Sequence, residues 1–442
     1  MKSILITFCV TIGFISCQKP LPKTVHLYGE LKNFGTELSM GKQTPEGYIL
    51  REGETITSDE QNKFDITFEL DAPAYFRLGR NTLYLTPGDE LEVFCDMNDP
   101  NAGSFKGDGA LACMYLRAKP FPKGGSYIGR EFFEPDTDFP KVKELLEVKI
   151  SEALQKLDTL SGVSEQFKKM EYGRIQFDAA NSYFSYSNYA TYYLKIPQDQ
   201  IKSFSDSANA YFKPTVKKYL KLGGDADYLN VDTYRSICDV CVEELGEENV
   251  DQAIKDFIST FKLNMTLSSK GPIEEVLEEK KKVEEEVLLP EYKEIISKAF
   301  SKYDALMPGM PAPELAFNTE DGKATPLASL KGKLVVIDVW ATWCGPCIAE
   351  SPYFEKLAKR YGNEAVEFIS ISIDSSDKPW KKYLAKHEKK SKQYICNRTN
   401  FAKYELFGVP RFMIIDKQGN FIDAFAPAPS NERFEELIKQ NI

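Results

Sequence analysis

The chain has 442 residues, of which 42% are hydrophobic and 28% are charged, and its formal net charge is -10. Because this length exceeds what one ordinary hydrophobic core holds, we expect two or three domains. The acidic balance excludes a nucleic-acid-binding protein of the usual kind, since such proteins present a basic face to their ligand.

The first 17 residues have the plan of a secretory signal. Lys2 precedes an apolar stretch, Ile4 to Ile15, that is too short to span a bilayer as a helix. The stretch ends at Phe14-Ile15-Ser16-Cys17, which resembles a bacterial lipoprotein box, in which the cysteine after a small residue becomes the lipidated N-terminus. Phe14 stands where such boxes usually have leucine, and the alternative is ordinary cleavage nearby. We expect residues 1–17 to be a signal peptide and Cys17 to anchor the mature chain to a membrane.

Residues 18–115 have the pattern of a β domain. Val25 to Leu31 and Phe64 to Leu70 alternate between apolar and polar residues, and Leu91 to Cys95 follows a turn at Pro87-Gly88-Asp89. This spacing predicts a small antiparallel β domain.

Residues 116–305 have a helical period instead. Leu146, Ile150, Leu154 and Leu157 recur at helical spacing, and the Glu/Lys-rich segment Ile273 to Val287 predicts a helix. We therefore expect a mostly α-helical middle region.

A proline- and glycine-rich cluster from Met307 to Pro313 opens the last segment, residues 306–442. Strand and helix patterns then alternate, and a hairpin and a helix close the chain. The predicted elements are a strand at Leu334 to Val339, a helix at Pro346 to Tyr361, a strand at Val366 to Ile373, a helix at Lys378 to His387, a strand at Gln393 to Cys396, a helix into Leu406, a hairpin of Phe412 to Ile415 with Asn420 to Phe425, and a helix at Asn431 to Gln440. This order predicts a mixed α/β sheet covered by helices.

The motif Trp343-Cys344-Gly345-Pro346-Cys347 lies where the first of these strands meets a helix. A helix start favours the thiolate that attacks disulfides, and Pro346 suits a first-turn position. We expect Cys344 to be the exposed nucleophile and Cys347, about one turn later, to be the more buried resolving thiol. The motif predicts thiol-disulfide exchange.

Two carboxylates near the motif are candidates for proton transfer. Asp338 lies within an apolar strand, so we expect burial to raise its pKa and make it an acid or base. Glu350 follows Cys347 by three residues, which places both on one helix face. The alternative for Glu350 is an ordinary solvated side chain.

Residues 306–442 resemble the thioredoxin-fold domains of TlpA/ResA-like thiol-disulfide oxidoreductases, which are related to the AhpC/TSA group. The resemblance rests on the Pro-Gly-x-x-Ala-Pro start, the WCxxC motif and Val409-Pro410. It implies that Asp338 is the buried acid of thioredoxins and that Glu350 is the acidic residue of this branch. It also implies that Val409-Pro410 is a cis-proline loop that faces the cysteines, where the Val409 backbone can pair with a substrate strand. Trp343 flanks the site, and we expect it to form a partly exposed contact surface.

The segments before residue 306 resemble, less specifically, the front half of Bacteroidetes thioredoxin-like lipoproteins. Gly-Pro between the cysteines is typical of reducing members of the family, so we expect a reductase. No flavin or nicotinamide motif is evident, and we therefore expect no cofactor and a membrane electron donor that re-reduces the pair. The expected substrates are disulfide-containing exported proteins in the cell envelope or periplasm.

The remaining cysteines are harder to place. Cys95 and Cys113 could form a disulfide or stay buried thiols, and Cys396 is expected in a buried strand. Cys238 and Cys241 are a second Cys-x-x-Cys, but they lie in the interior of a predicted helix, so structural thiols or a local disulfide are favoured over a working site. Because the chain has only two histidines, we expect no metal site.

Two other functions fit the same motifs. One is a disulfide oxidase or isomerase that uses the same cysteines, because partner and compartment decide the direction of exchange. The other is an envelope-binding lipoprotein in which the front 300 or so residues recognise a partner and the redox domain is auxiliary.

Overall fold

The computed structural model describes residues 23–117, 125–128, 135–362 and 365–442. The predicted signal peptide and Cys17 lie outside the described residues. In these ranges, no helix combines the length and the apolar character needed to cross a membrane. The chain forms two compact units, one of Met1–Tyr219 with Asp227–Ser236 and one of Leu220–Ala226 with Ile237–Ile442. Neither unit coincides with a predicted segment, so the boundaries after residues 115 and 305 stay predictions.

The first unit begins with β-strands that form two four-stranded sheets. The orders of the two sheets are β4-β1-β7-β8 and β3-β2-β5-β6. The elements are β1 (Thr24–Lys32), β2 (Glu37–Lys42), α1 (Pro45–Leu50), β3 (Gly53–Thr57), β4 (Lys63–Glu69), β5 (Ala74–Leu78), β6 (Asn81–Leu85), β7 (Glu90–Asp96), β8 (Ser104–Gly107) and α2 (Ala110–Arg117).

These two sheets share one hydrophobic core. Leu27 and Phe68 of one sheet and Phe76 of the other belong to a single buried cluster, and the rings of Phe68 and Phe76 lie 5.6 Å apart. The sheet-rich character of this region is confirmed, and its strand pairs are antiparallel as predicted, with one exception. Strands β1 and β7 run parallel, because a connection of more than 50 residues brings the chain back in the same direction.

The middle of the chain is helical, as predicted. Asp138 and Ser164 cap two of its helices, where their side chains accept hydrogen bonds from the amides of Lys141 and Phe167. The helices are α3 (Phe139–Asp158), α4 (Glu165–Phe184), α5 (Tyr186–Tyr193), α6 (Ile201–Tyr219) and α7 (Asp232–Leu245).

The second unit joins three helices to the C-terminal α/β region. Its elements after α7 are α8 (Gln252–Lys270), α9 (Glu274–Glu286), α10 (Pro290–Ser301), β9 (Ala316–Asn318), β10 (Ala324–Pro326), β11 (Leu334–Trp340), α11 (Gly345–Tyr361), β12 (Val366–Ser372), α12 (Asp377–Leu384), β13 (Lys392–Ile395), β14 (Arg411–Ile415), β15 (Phe421–Ala426) and α13 (Glu432–Asn441). The predicted helix into Leu406 is instead a 3-10 helix, Arg398–Tyr404.

Strand β11 lies inside a seven-stranded sheet of order β10-β9-β13-β12-β11-β14-β15. It pairs parallel with β12 and antiparallel with β14, so the predicted mixed sheet is confirmed. All seven residues of β11 are buried, and one face packs Leu334 and Val336 against Phe354 of α11 and Phe434 of α13. Strand β11 is thereby packed against α11, the helix whose first turn carries the cysteine motif.

Candidate active site

Cys344 and Cys347 form a disulfide at the N-terminus of α11. Cys344 is the N-cap residue of this helix, and its Sγ accepts a hydrogen bond from the backbone amide of Cys347 at 3.1 Å. Pro346 lies in the first turn, where its missing amide proton leaves no helix bond unmade. An amide that donates to Cys344 Sγ, together with the positive helix end, stabilises negative charge on that sulfur when the disulfide is reduced.

The exposure of the two cysteines differs from the prediction. We expected an exposed Cys344 and a more buried Cys347, yet the two residues are 4% and 3% exposed. The low exposure of Cys344 is partly due to a tertiary contact, because the carbonyl oxygen of Val409 lies 3.6 Å from Cys344 Sγ. This neighbour comes from a loop 65 residues away along the chain. In the disulfide form, therefore, accessibility does not separate the two sulfurs.

The Val409-Pro410 peptide bond is cis, at the position where the resemblance places the loop that faces the cysteines. Pro410 directly precedes β14, which pairs with β11. Since the register sets Val339 against Arg411, the loop and the cysteine motif meet at the same end of the sheet. The structure therefore brings Cys344, Val409 and Pro410 together.

Asp338 is buried, at 6% exposure, on the strand that leads to the motif. Burial raises the pKa of Asp338 to about 7, although Lys389 and a hydrogen bond from Ser370 oppose the increase. Ser370 Oγ donates that bond to Asp338 Oδ2 at 3.3 Å. Alternate residues of a strand share a face, so Asp338 lies on the side of the sheet that α11 covers. A carboxyl group with this pKa can accept or release a proton near neutral pH.

Glu350 is half-buried, and both of its oxygens have partners. Glu350 Oε2 accepts a hydrogen bond from the amide of Ser430 at 3.0 Å, and Oε1 accepts one from the Ser430 hydroxyl at 2.9 Å. Its charge also contributes, as a minor cause, to the raised pKa of Asp338. Glu350 thus fixes the loop before α13 to the helix that carries the cysteines.

The two tryptophans of the motif have different surroundings. Trp343 is 67% exposed beside Cys344, whereas Trp340 is 4% exposed at the end of β11. Lys389 Nζ lies 5.5 Å from the centroid of the Trp340 ring. Trp343 therefore offers an aromatic contact surface next to the disulfide, while Trp340 belongs to the core.

Asp374 also supports the motif, and sequence reasoning did not identify it. Its Oδ1 accepts a hydrogen bond from the Thr342 hydroxyl at 2.8 Å, and its Oδ2 accepts one from the Thr342 amide at 3.1 Å. The hydroxyl of Ser372 donates to Oδ2 as well, at 2.7 Å. Asp374 therefore holds the loop between β11 and Cys344 in place. In the sequence, the position of this aspartate just after an apolar strand was the feature that could have identified it as a candidate site residue.

We expect replacement of Asp374 by alanine to lower the free energy of unfolding by about 2 kcal/mol, because the partly buried amide and hydroxyl groups of Thr342 lose their acceptors. Urea-induced unfolding measures this change. Asp377→Ala is the matched control, since Asp377 pairs with Lys381 at the surface and should change the free energy of unfolding little. Equal losses in the two variants would contradict the role of Asp374.

The other cysteines of the described ranges do not form disulfides. Cys95, Cys113, Cys238, Cys241 and Cys396 are buried thiols. The possible disulfide between Cys95 and Cys113 is therefore not formed, and burial raises the pKa of each of these two thiols to about 12. Cys396 follows β13 rather than lying within it. Within the described part of the chain, no cluster of three His, Cys, Asp or Glu side chains could hold a metal ion.

A cysteine pair at a helix start, a facing cis-proline and a mixed sheet together define a thioredoxin-fold dithiol protein. Residues 307–438 match the family model described as Redoxin. The thiol-disulfide oxidoreductase ResA of Bacillus cereus is 31% identical over 142 residues, which cover 32% of this chain and 82% of that protein. Thioredoxin-like protein YneN of Bacillus subtilis is 29% identical over 134 residues, covering 29% of this chain and 78% of that protein.

Among solved structures, a Bacteroides vulgatus protein assigned as a thiol-disulfide oxidoreductase is 41% identical, with a TM-score of 0.31. The similarity covers 31% of this chain and 99% of that protein. Through its C-terminal region, the chain belongs to the ResA-like thiol-disulfide oxidoreductases of the Redoxin group, which confirms the family resemblance. It is therefore an enzyme of thiol-disulfide exchange.

Proposed function

We propose that the protein reduces disulfides of exported proteins in the cell envelope through Cys344 and Cys347. The observation that carries this proposal is the cysteine pair at the start of α11, beside the cis Val409-Pro410 bond. The Gly-Pro pair between the cysteines supports the reducing direction over an oxidase or isomerase.

The reaction begins with the reduced pair. The Cys344 thiolate attacks one sulfur of the substrate disulfide, so that a mixed disulfide forms and the other substrate sulfur leaves as a thiolate. Cys347 then loses its proton and attacks Cys344 Sγ, which releases the second substrate sulfur. The substrate gains two electrons, and Cys344 and Cys347 end as the disulfide.

Asp338 accepts the proton that Cys347 loses, since its raised pKa matches neutral pH. Glu350 assists this step through its charge and through its hold on Ser430. Val409 and Trp343 contact the substrate chain, and Pro410 keeps the Val409 carbonyl beside the sulfurs. Re-reduction requires an outside dithiol, for which we propose a membrane electron donor.

Transfer of electrons to insulin disulfides tests the reducing function. One equivalent of the reduced full chain, with no other reductant, should reduce about one equivalent of insulin disulfide, because the pair carries two electrons. The replacement Cys396→Ser should leave this unchanged, since Cys396 is a buried thiol. Failure to reduce insulin, combined with fast oxidation of reduced insulin by the disulfide form, would contradict the proposal in favour of an oxidase.

We propose further that the chain is tied to a membrane by lipid on Cys17. Metabolic labelling with an alkyne fatty acid should mark the wild type and leave Cys17→Ala unlabelled, because the acyl chains are attached at that residue. Cys9→Ala is the matched control, since Cys9 lies in the segment that cleavage removes. Equal labelling of wild type and Cys17→Ala would contradict the anchor.

A further inference from the structure

A cavity of about 370 Å³ opens beside Pro410 in the second unit. Part of its wall comes from the thioredoxin-fold region, including Ala426 and Asn431 near the end of β15. Another part comes from the turn between α8 and α9, including Lys270 and Ile273. Helices that precede the thioredoxin fold therefore help to form a cavity that reaches the cis-proline. A volume of this size lies within the range of ligand-binding cavities.

The turn between α8 and α9 is seated firmly on the sheet. Gly271 has φ +75°, and a Cβ atom on it would lie only 2.2 Å from the ring of Phe425 in β15. The Arg411 guanidinium lies 3.7 Å from the centroid of the same ring. Because the Gly271 backbone contacts the Phe425 ring directly, the turn is a fixed wall of the cavity.

The loop on the other part of the wall is also fixed, and the cavity continues from the active site. Glu350 binds both the amide and the hydroxyl of Ser430, between cavity residues Ala428 and Asn431. Pro410 lines the cavity, and the carbonyl of the preceding Val409 lies 3.6 Å from Cys344 Sγ. A chain whose sulfur reaches Cys344 can therefore extend past Pro410 into the cavity.

The charges around the cavity favour an acidic occupant. Lys270 pairs with Glu275 at the surface, at 2.9 Å, and Arg411 is buried against Phe425. Asp423 accepts a hydrogen bond from the Phe425 amide at 2.7 Å. Asp423 is the one carboxylate of the lining, and it interacts through its charge with Arg433 and Arg411. Arg433 is exposed and forms no ion pair within 4.0 Å among the described residues. The described lining thus has three cations against one carboxylate, and Arg433 is its exposed cation without an ion pair.

We propose that this cavity receives the extended polypeptide segment next to the reacting disulfide of a substrate, and that Arg433 selects an acidic side chain in that segment. Backbone hydrogen bonds at Val409 supply affinity, and the cavity supplies selectivity through side-chain contacts. The inference rests on the proposed reductase function and adds to it a substrate class. It also gives the helical region, through the α8–α9 turn, a part in substrate selection.

Reduction of two synthetic peptides by the reduced full chain tests the proposal. Each peptide has one cysteine, which forms a mixed disulfide with 2-mercaptoethanol. One peptide has glutamates on both sides of that cysteine, the other has lysines there, and the two are otherwise identical. We expect kcat/KM to be about fivefold higher for the glutamate peptide, and Arg433→Glu to remove or reverse this preference. Lys417→Glu is the charge-matched control, because Lys417 lies in the β14–β15 turn at the far end of β14 from Pro410.

A second variant tests whether the α8–α9 turn, which forms part of the cavity wall, takes part in substrate selection. Ile273 has the backbone of an N-cap residue, so Ile273→Asp can cap α9 while it adds a carboxylate to the cavity. We expect kcat/KM for the glutamate peptide to fall about threefold. The uncharged 2-hydroxyethyl disulfide gives the reference for general redox activity, and Lys417→Glu should reduce it at the wild-type rate.

Equal rates for the two peptides, or a preference that survives Arg433→Glu, would overturn the inference and leave the reductase function intact. Loss of the preference in Lys417→Glu would overturn it too, since a general effect of charge would then explain the selectivity. If the reduced wild type fails to reduce even 2-hydroxyethyl disulfide, the proposed function fails and the inference fails with it.

Discussion

Replacement of Cys347 by serine should stop the reaction halfway, with the substrate held on Cys344 as a mixed disulfide. The serine hydroxyl is a poor nucleophile toward disulfides, whereas Cys344 keeps its place at the helix start and the backbone amide that supports its thiolate. We expect steady-state turnover to fall by about three orders of magnitude or more. Mass spectrometry without reductant should detect one substrate chain per protein.

The double replacement of Cys344 and Cys347 by serine separates the roles of the two sulfurs. This variant should lose turnover to the same extent and form no adduct, because the attacking sulfur is gone. Cys241→Ser is the control for the second Cys-x-x-Cys, and it should keep the wild-type turnover because the thiols of that motif are buried in α7. An adduct in the double variant, or normal turnover in Cys347→Ser, would show that another cysteine carries the reaction.

Replacement of Asp338 by asparagine should make the protein more stable at pH 8. The native state keeps a proton on Asp338 up to about pH 7, whereas the unfolded chain loses it near pH 4, as an ordinary aspartate does. The native state therefore binds more protons across this interval, and the free energy of unfolding falls as pH rises through it. Relative to pH 4, the variant should gain on the order of 3 kcal/mol over the wild type at pH 8.

Glu367→Gln is the matched control for this pH dependence, because Glu367 has a pKa shifted in the opposite direction. Lys333 and Lys392 bind the Glu367 carboxylate at 2.8 and 2.9 Å and, against the effect of burial, lower its pKa. Its contribution to stability is therefore present at neutral pH and is lost as pH falls. Chemical unfolding at several pH values should show opposite trends for the two variants, and parallel trends would contradict the raised pKa of Asp338.

The same Asp338→Asn variant should reduce disulfides about 10²-fold more slowly at pH 7, because Cys347 lacks a proton acceptor. The deficit should shrink above about pH 9, where a thiol ionises without help. Reduction rates measured from pH 6 to 10 distinguish the loss of a proton acceptor from a purely structural effect of the replacement. A deficit that is constant across that range would remove Asp338 from the proton-transfer step.

The sequence was most informative where local patterns and buried strands coincide. The strand at Leu334 to Val339, the helix that starts at the cysteines and the burial of Asp338 follow from an apolar run, a first-turn proline and apolar flanks. Each of these features depends on residues within a few positions of the site. The central strand and helix of the site could therefore be predicted from sequence.

Features that depend on distant residues were beyond sequence reasoning. Glu350 forms hydrogen bonds with Ser430, which is 80 residues away along the chain, and the Gly271 backbone contacts the Phe425 ring. The low exposure of Cys344 likewise reflects Val409 in a distant loop. Periodicity within one segment contains no information about such contacts, because they depend on how segments pack. The wall of the cavity beside Pro410 could thus be seen only in the folded chain.

The reduction potential of the Cys344-Cys347 pair tests the central claim most directly. Equilibration of the full chain with glutathione or dithiothreitol buffers, followed by alkylation and mass spectrometry, gives this value. A reductase should have a potential close to that of thioredoxin, about -270 mV. A potential near that of the oxidant DsbA, about -120 mV, would contradict the account.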